Sequence, residues 1–131
     1  MTVFDLEERQ GVWFEMEGGG RVQLRALAAD DLKRIRARTV TKKAEIAKVD
    51  GVVARVAWEE TDEDLQNELF WDHCIVGWEK LFDRKGKALP CTTANKVLLM
   101  TRSAKFAKFV SERLRELAED DAMRAEAAEK N

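Results

Sequence analysis

The chain is poor in cysteine, histidine and proline and has no tyrosine: its 131 residues hold two cysteines, one histidine and one proline. Cys74 and Cys91 are too few and too far apart for a disulfide framework, and with His73 they do not make a zinc spacing, so a reducing compartment is the default. Long apolar runs are missing as well. The longest are a few residues, far below the ~20 that span a bilayer. The opening MTVFDLEERQ lacks a basic region followed by an apolar core, which argues against a secretory leader. No Pro/Ser linker and no internal repeat divides the chain. The expectation is a cytoplasmic protein without a membrane segment, folded as one globular domain over residues 1–117 with a charged tail, helical or frayed, at 118–131.

What is present fits that picture. Hydrophobic residues make up 45% and charged residues 37%, with a formal net charge of −2, so neither disorder nor a polyanionic partner is signalled globally. In GVWFEMEGGGRVQLRAL, Val12, Phe14 and Met16 alternate with Trp13, Glu15 and Glu17. Val22, Leu24 and Ala26 alternate in the same way after the glycine tract, which predicts a β-hairpin. The GGG tract is read as its turn, since no Lys-Ser/Thr follows to make a phosphate loop.

Asp30 or Asp31 can cap a helix carrying Leu32 and Ile35 that runs into KRIRARTVTKK. The stretch from Lys42 to Trp58 is open. AEIAKVD could extend that helix until Gly51 interrupts it, whereas Val52, Ala54, Val56 and Trp58 share one face at period two, and we read 51–59 as strand. Thr61 can cap a helix with Leu65, Leu69, Trp71, Ile75, Val76 and Trp78 near a 3.6-residue period, its first turn crowded with Asp62, Glu63 and Asp64. Asp83 to Gly86 predicts a turn, and Leu89-Pro90 an extended pair. Thr92 or Thr93 caps a short helix with Val97, Leu98 and Leu99 inward, and Ser103 caps a last helix striped by Phe106, Phe109, Val110, Leu114 and Leu117. The fold class is α+β and mostly helical: an N-terminal β-hairpin, several packed helices, and a C-terminal amphipathic helix with a charged tail.

Chemistry is sparse. WDHC at 71–74 is the only tempting cluster, but adjacent helical residues point about 100° apart, so Asp72, His73 and Cys74 cannot converge on one atom. The expected roles are a satisfied or exposed His73 and a core Cys74. Glu59, Glu60, Asp62, Glu63 and Asp64 gather at a helix start, where capping and solvation account for them. No catalytic residue, cofactor or metal ligand is expected, and the protein reads as non-enzymatic.

Six cations lie within residues 33–43, and phosphate contact is one use for them. Lys33, Arg34, Arg36 and Arg38 could equally be the wet face of a helix answering the acids at 59–68, and the run has no stacking aromatics. Nucleic acid is therefore not the expected partner. A small nucleic-acid-binding regulator using this basic helix remains an alternative.

The segment from Ile75 to Met100 carries a resemblance. Ile75-Val76-Gly77-Trp78 is followed by the turn Asp83-Arg84-Lys85-Gly86-Lys87, then Ala88-Leu89-Pro90, Thr92-Thr93, Asn95 and Val97-Leu98-Leu99. This order resembles the small tail assembly chaperones of long-tailed bacteriophages and prophages. A Gly-Trp strand before a basic helix and an Ala/Glu-rich close agree with it. Physically, Trp78, Leu81 and Phe82 would end a helix with bulky anchors, Asp83–Gly86 would reverse the chain, and Leu89 with Pro90 would pin it. We read Trp78, Phe82, Asp83, Gly86, Leu89 and Pro90 as a structural corner.

The resemblance implies a cytoplasmic, non-catalytic protein that binds the tape measure protein, with the major tail protein as a further candidate partner, and is absent from the mature virion. Another head–tail or tail structural component is the neighbouring alternative. Such families often add a frameshifted longer product, and the closing Glu129-Lys130-Asn131 is compatible with a slippery codon run. A client of apolar helices would need an amphipathic face. Phe109, Leu114 and Leu117 are the candidates, with the completion of the domain core as their rival role. Arg34, Arg36 and Arg38 could hold acidic heptads of a client. Homo-oligomerisation would cover an apolar stripe too large for a small core.

Overall fold

The computed structural model describes residues 1–4 and 10–130. Its elements in chain order are β1 (Val12–Glu15), β2 (Arg21–Leu24), α1 (Ala29–Thr39), β3 (Val40–Val49), β4 (Val52–Thr61), α2 (Glu63–Cys74), β5 (Ile75–Glu79), α3 (Thr93–Arg102) and α4 (Ala104–Lys130). Residues 5–9 of the N-terminal stretch and Asn131 lie outside the described residues. The class is α+β, with the N-terminal hairpin and the C-terminal helix where the hydrophobic pattern puts them. The chain divides into two compact units, one of Met1–Leu27 with Trp71–Asn131 and one of Ala28–Phe70.

In the first unit, an antiparallel sheet in the order β1-β2-β5 holds the core. The glycine tract makes the β1–β2 turn: Met16 N–H donates to Gly20 O at 2.7 Å and Gly19 N–H to Met16 O at 3.2 Å. Gly20 also sits where a Cβ would come within 2.7 Å of Leu81 Cδ2 and 3.1 Å of Lys80 O, so a side chain there would have to displace β5's continuation. Alternation sends Val22 and Leu24 inward, where they join Ile75, Trp78, Phe106 and Val110 in a buried cluster. Full burial of each aliphatic side chain is worth about 2 kcal/mol. Trp78 meets Phe106 edge to face, with ring centroids 6.1 Å apart at 86°. On the sheet's other face Arg21 stacks 4.3 Å over Trp13 and pairs with Glu79 at 2.7 Å. That pairing lowers the Glu79 carboxyl below its ordinary range.

The expected long helix through Trp78 is corrected. α2 stops at Cys74, and Ile75–Glu79 is a strand paired with β2, with Leu24 opposite Ile75 and Val22 opposite Trp78. β-branched Ile75 and Val76 and then Gly77 disfavour further helix. The unpaired last carbonyls are taken over by a residue far away in sequence: Arg25 N–H donates to Cys74 O at 3.0 Å and the Arg25 guanidinium to His73 O at 2.8 Å. Trp78 therefore lies on a strand and Leu81 just beyond its end, neither on a helix.

Ser103 caps α4 as expected, its Oγ accepting from Phe106 N–H at 3.1 Å, and Thr92 caps α3 by accepting from Asn95 N–H at 3.2 Å. α3 differs in its inward face. Leu98 is exposed and Lys96 is buried.

In the second unit, the helix led by the Asp30–Asp31 pair ends at Thr39. Asp31 caps it from inside, reaching back to Ala28 N–H at 3.0 Å. The β-branched run Thr39-Val40-Thr41 then goes directly into β3. β3 and β4 form a ten-residue antiparallel hairpin closed by Asp50-Gly51, with Val49 opposite Val52. Both turn residues have positive φ, 53° and 79°, the backbone of a type I′ turn. The strand reading of 51–59 holds, and the helical option for AEIAKVD does not. The ladder runs one residue past the strands, where Asp62 N–H donates to Thr39 O at 2.8 Å. Thr61 is consequently a strand residue, and Asp62 caps α2, accepting from Leu65 N–H at 3.1 Å.

Candidate functional site

The residues with chemical potential gather at the end of α2. Asp72 accepts from the Thr93 hydroxyl at 2.7 Å and from Lys96 Nζ at 3.1 Å, and Lys96 also donates to Asp72 O at 3.1 Å. The Thr93 bond and then the Lys96 bond hold the Asp72 carboxyl below its ordinary range against the opposing effect of burial. Burial pushes the Cys91 thiol up, away from the thiolate form. His73 Nδ1 lies 3.4 Å from Arg25 Nη2, and Cys74 is 1% exposed. The cations thus meet successive carbonyls at the negative end of a helix, which is what a C-terminal helix latch requires. Lys96 was invisible in sequence, because its partner lies 24 residues away and its neighbours read as an apolar face. Among the described residues no group of three or more His, Cys, Asp or Glu side chains could hold a metal ion, and no helix is long and apolar enough to cross a membrane.

The segment from Trp78 to Pro90 folds into a tight reversal. Asp83 Oδ1 accepts from Lys85 and Lys87 N–H, each at 2.9 Å, Asp83 N–H donates to Lys87 O at 2.8 Å, and Gly86 takes φ 81°. Leu89 N–H donates to Leu81 O at 2.8 Å, and Trp78 Nε1–H donates to Leu89 O at 2.7 Å, tying the loop to the core indole. Pro90 O accepts from Asn95 Nδ2 at 2.9 Å. Phe82 departs from the anchor role: its side chain points out, 57% exposed, while its backbone bridges Ala88.

The two sets of residues proposed to meet a partner fare differently. Phe109, Leu114 and Leu117 are half-buried and pack against the buried cluster, so on α4 the core role prevails over an open groove. The basic run is not one helix. Arg34, Arg36 and Arg38 lie on α1, with Arg34 paired to Asp31 at 3.1 Å and Arg36 to Glu59 at 2.7 Å, while Lys42 and Lys43 lie on β3. Arg38 is exposed.

The open apolar surface is on the β3–β4 arm, which sequence reading did not single out. At ~3.3 Å per residue the arm is roughly 30 Å long. One face carries Val49, Val52, Val56 and Trp58, and the other Ile46 and Val53. Ile46 is 78% exposed, Val52 66% and Val53 64%, so neither face is covered. A two-stranded hairpin with both faces in water is marginal unless something packs on it. The signal was Asp-Gly between alternating β-branched residues. A family model described as YdaY prophage protein matches residues 25–131, a span that includes the arm, the helix latch and the corner. No curated protein and no solved structure matches the chain.

Proposed function

The chain belongs to the YdaY prophage protein family, and on that premise we propose that it is a non-enzymatic tail assembly chaperone that binds the tape measure protein and keeps it soluble during tail morphogenesis. The observation that carries this reading is the arm, whose β-branched residues lie open on both faces and are interrupted by Lys42, Lys43, Lys48, Arg55, Glu59 and Glu60. Apolar side chains give a surface on which exposed client helices can lie. The interleaved charges limit how much dry contact forms, so binding stays weak enough to reverse when tail protein polymerises around the client. The resemblance of Ile75 to Met100 to tail assembly chaperones supports the choice of client, and the prophage family supports the setting. Client contact is assigned to the arm instead of α4.

Deleting the gene and inducing the prophage tests this. The expected result is particles without tails, tape measure protein in the insoluble fraction, and no trace of this protein by mass spectrometry in purified wild-type particles. Retention of the protein in finished particles at a fixed copy number would make it a structural component and overturn the chaperone role.

A further inference from the structure

Beyond the client, the arm has a second use that follows from its own sequence. The two-residue turn makes Val49 and Val52 a hydrogen-bonded pair, and the bond from Asp62 N–H to Thr39 O shows the same parity at the other end. Even-numbered residues of β4 therefore bond β3, while Val53, Arg55, Ala57, Glu59 and Thr61 turn their N–H and C=O groups outward. The sheet has only these two strands, so that edge is unpaired among the described residues.

We propose that β4 pairs edge to edge, antiparallel, with β4 of a second copy about a two-fold axis through Ala57. This register sets each Arg55 opposite Glu59 of the second copy, twice by symmetry, and all of these residues have outward-facing backbone. It also sets Val56 opposite Trp58 of the second copy, which joins the two apolar stripes. Moving the axis by one residue in either direction loses the match: centred on Val56 it places Arg55 opposite Ala57, and centred on Trp58 it places Glu59 opposite Ala57. Centred on Arg55 itself, the arginines face each other.

Arg55 has no carboxylate partner among the described residues, and the residue directly opposite it on β3 is Ile46. Glu59 bonds Arg36 through one carboxylate oxygen and has the other to offer. The β3 edge suits a copy less well. Its outward-facing residues include Lys42 and Lys48 and no acid, the usual guard against strand addition. A two-fold pairing closes on itself, so the product is a dimer with a four-stranded sheet and not a fibre. The pairing rests on the complementarity of β4 and not on the identity of any client.

Light scattering coupled to gel filtration tests it on the full chain. The wild type is expected at twice the 15.0 kDa chain mass. R55E and E59R are each expected at the single-chain mass, with unchanged far-ultraviolet circular dichroism, because both positions are exposed. The double variant R55E/E59R restores opposite charge across the axis and is expected to regain the doubled mass. E59R and the double variant share any repulsion from Arg36, so that repulsion cannot account for the rescue. Ala57→Cys supplies an independent reading, since the two-fold brings residue 57 of each copy within disulfide reach. It should cross-link on mild oxidation where Val53→Cys does not. A wild type at single-chain mass across concentrations, or a double variant that stays at that mass, would overturn the proposal. A dimer that cross-links equally well through Val53→Cys would overturn the register.

Discussion

Trp78→Phe tests whether the corner is held by the indole N–H or only by apolar packing. The change keeps an aromatic ring in the core beside Phe106 but removes the donor that reaches Leu89 O at 2.7 Å. Leaving a partly buried carbonyl without its donor costs about 1–3 kcal/mol, and the lost ring edge adds about 0.5–1 kcal/mol. A loss of about 2 kcal/mol is expected, which lowers the folded-to-unfolded ratio roughly 30-fold. With a urea slope of about 2 kcal/mol/M, the midpoint should fall by about 1 M at unchanged slope. Far-ultraviolet circular dichroism reads it without relying on tryptophan fluorescence. Trp13→Phe is the control, since that ring lies on the sheet's exposed face over Arg21 and its replacement should cost about 0.5 kcal/mol. If Trp78→Phe cost no more than Trp13→Phe, the corner would be held by packing alone and the role given to the hydrogen bond would be wrong.

Other expectations follow from the same contacts. Val110→Ala removes two methyls from a fully buried site on α4 and should cost about 2 kcal/mol by urea titration, whereas Met123→Ala, well exposed, should cost nothing measurable. Gly51→Val places a β-branched residue at φ 79°, a strain of about 1–2 kcal/mol. Hydrogen exchange should show roughly tenfold faster opening across β3 and β4 and no change at Val22, Leu24 or Val110. Asp72 has a lowered folded-state pKa, so its ionised form contributes stability above the unfolded carboxylate's ~3.9, and that contribution is lost as pH falls through the folded value. Urea midpoints at pH 7 and pH 3 should therefore differ less in Asp72→Asn than in the wild type.

Where local pattern and burial coincide, the sequence was readable. Val22 and Leu24 alternate, sit on the central strand and are fully buried. Ser103 and Thr92 cap the helices their positions suggest. The errors came where one periodicity fits two structures. Leu69, Trp71, Ile75 and Trp78 suit a helix, yet the last two serve better on a strand beside β2, because Arg25 and Lys96 satisfy the helix end at Cys74. That long-range exchange has no local signature. The arm was a different failure: Asp50-Gly51 between β-branched residues is a strong local hairpin signal, and the lysines before it masked the signal as a basic helix. Phe109, Leu114 and Leu117 needed the fold itself, since an amphipathic stripe reads alike whether it faces a core or a client.

In the proposed function the arm receives the client. Co-expressing the prophage's tape measure protein with the wild type, and separately with a variant carrying Ile46→Lys, Val52→Lys and Val53→Lys, tests it most directly. All three positions are open to solvent, so the fold should survive, as circular dichroism can verify. Soluble, co-purifying tape measure protein is expected with the wild type and insoluble tape measure protein with the arm variant. Equal solubility with both would contradict it, and would return the search for the client surface to the rest of the chain.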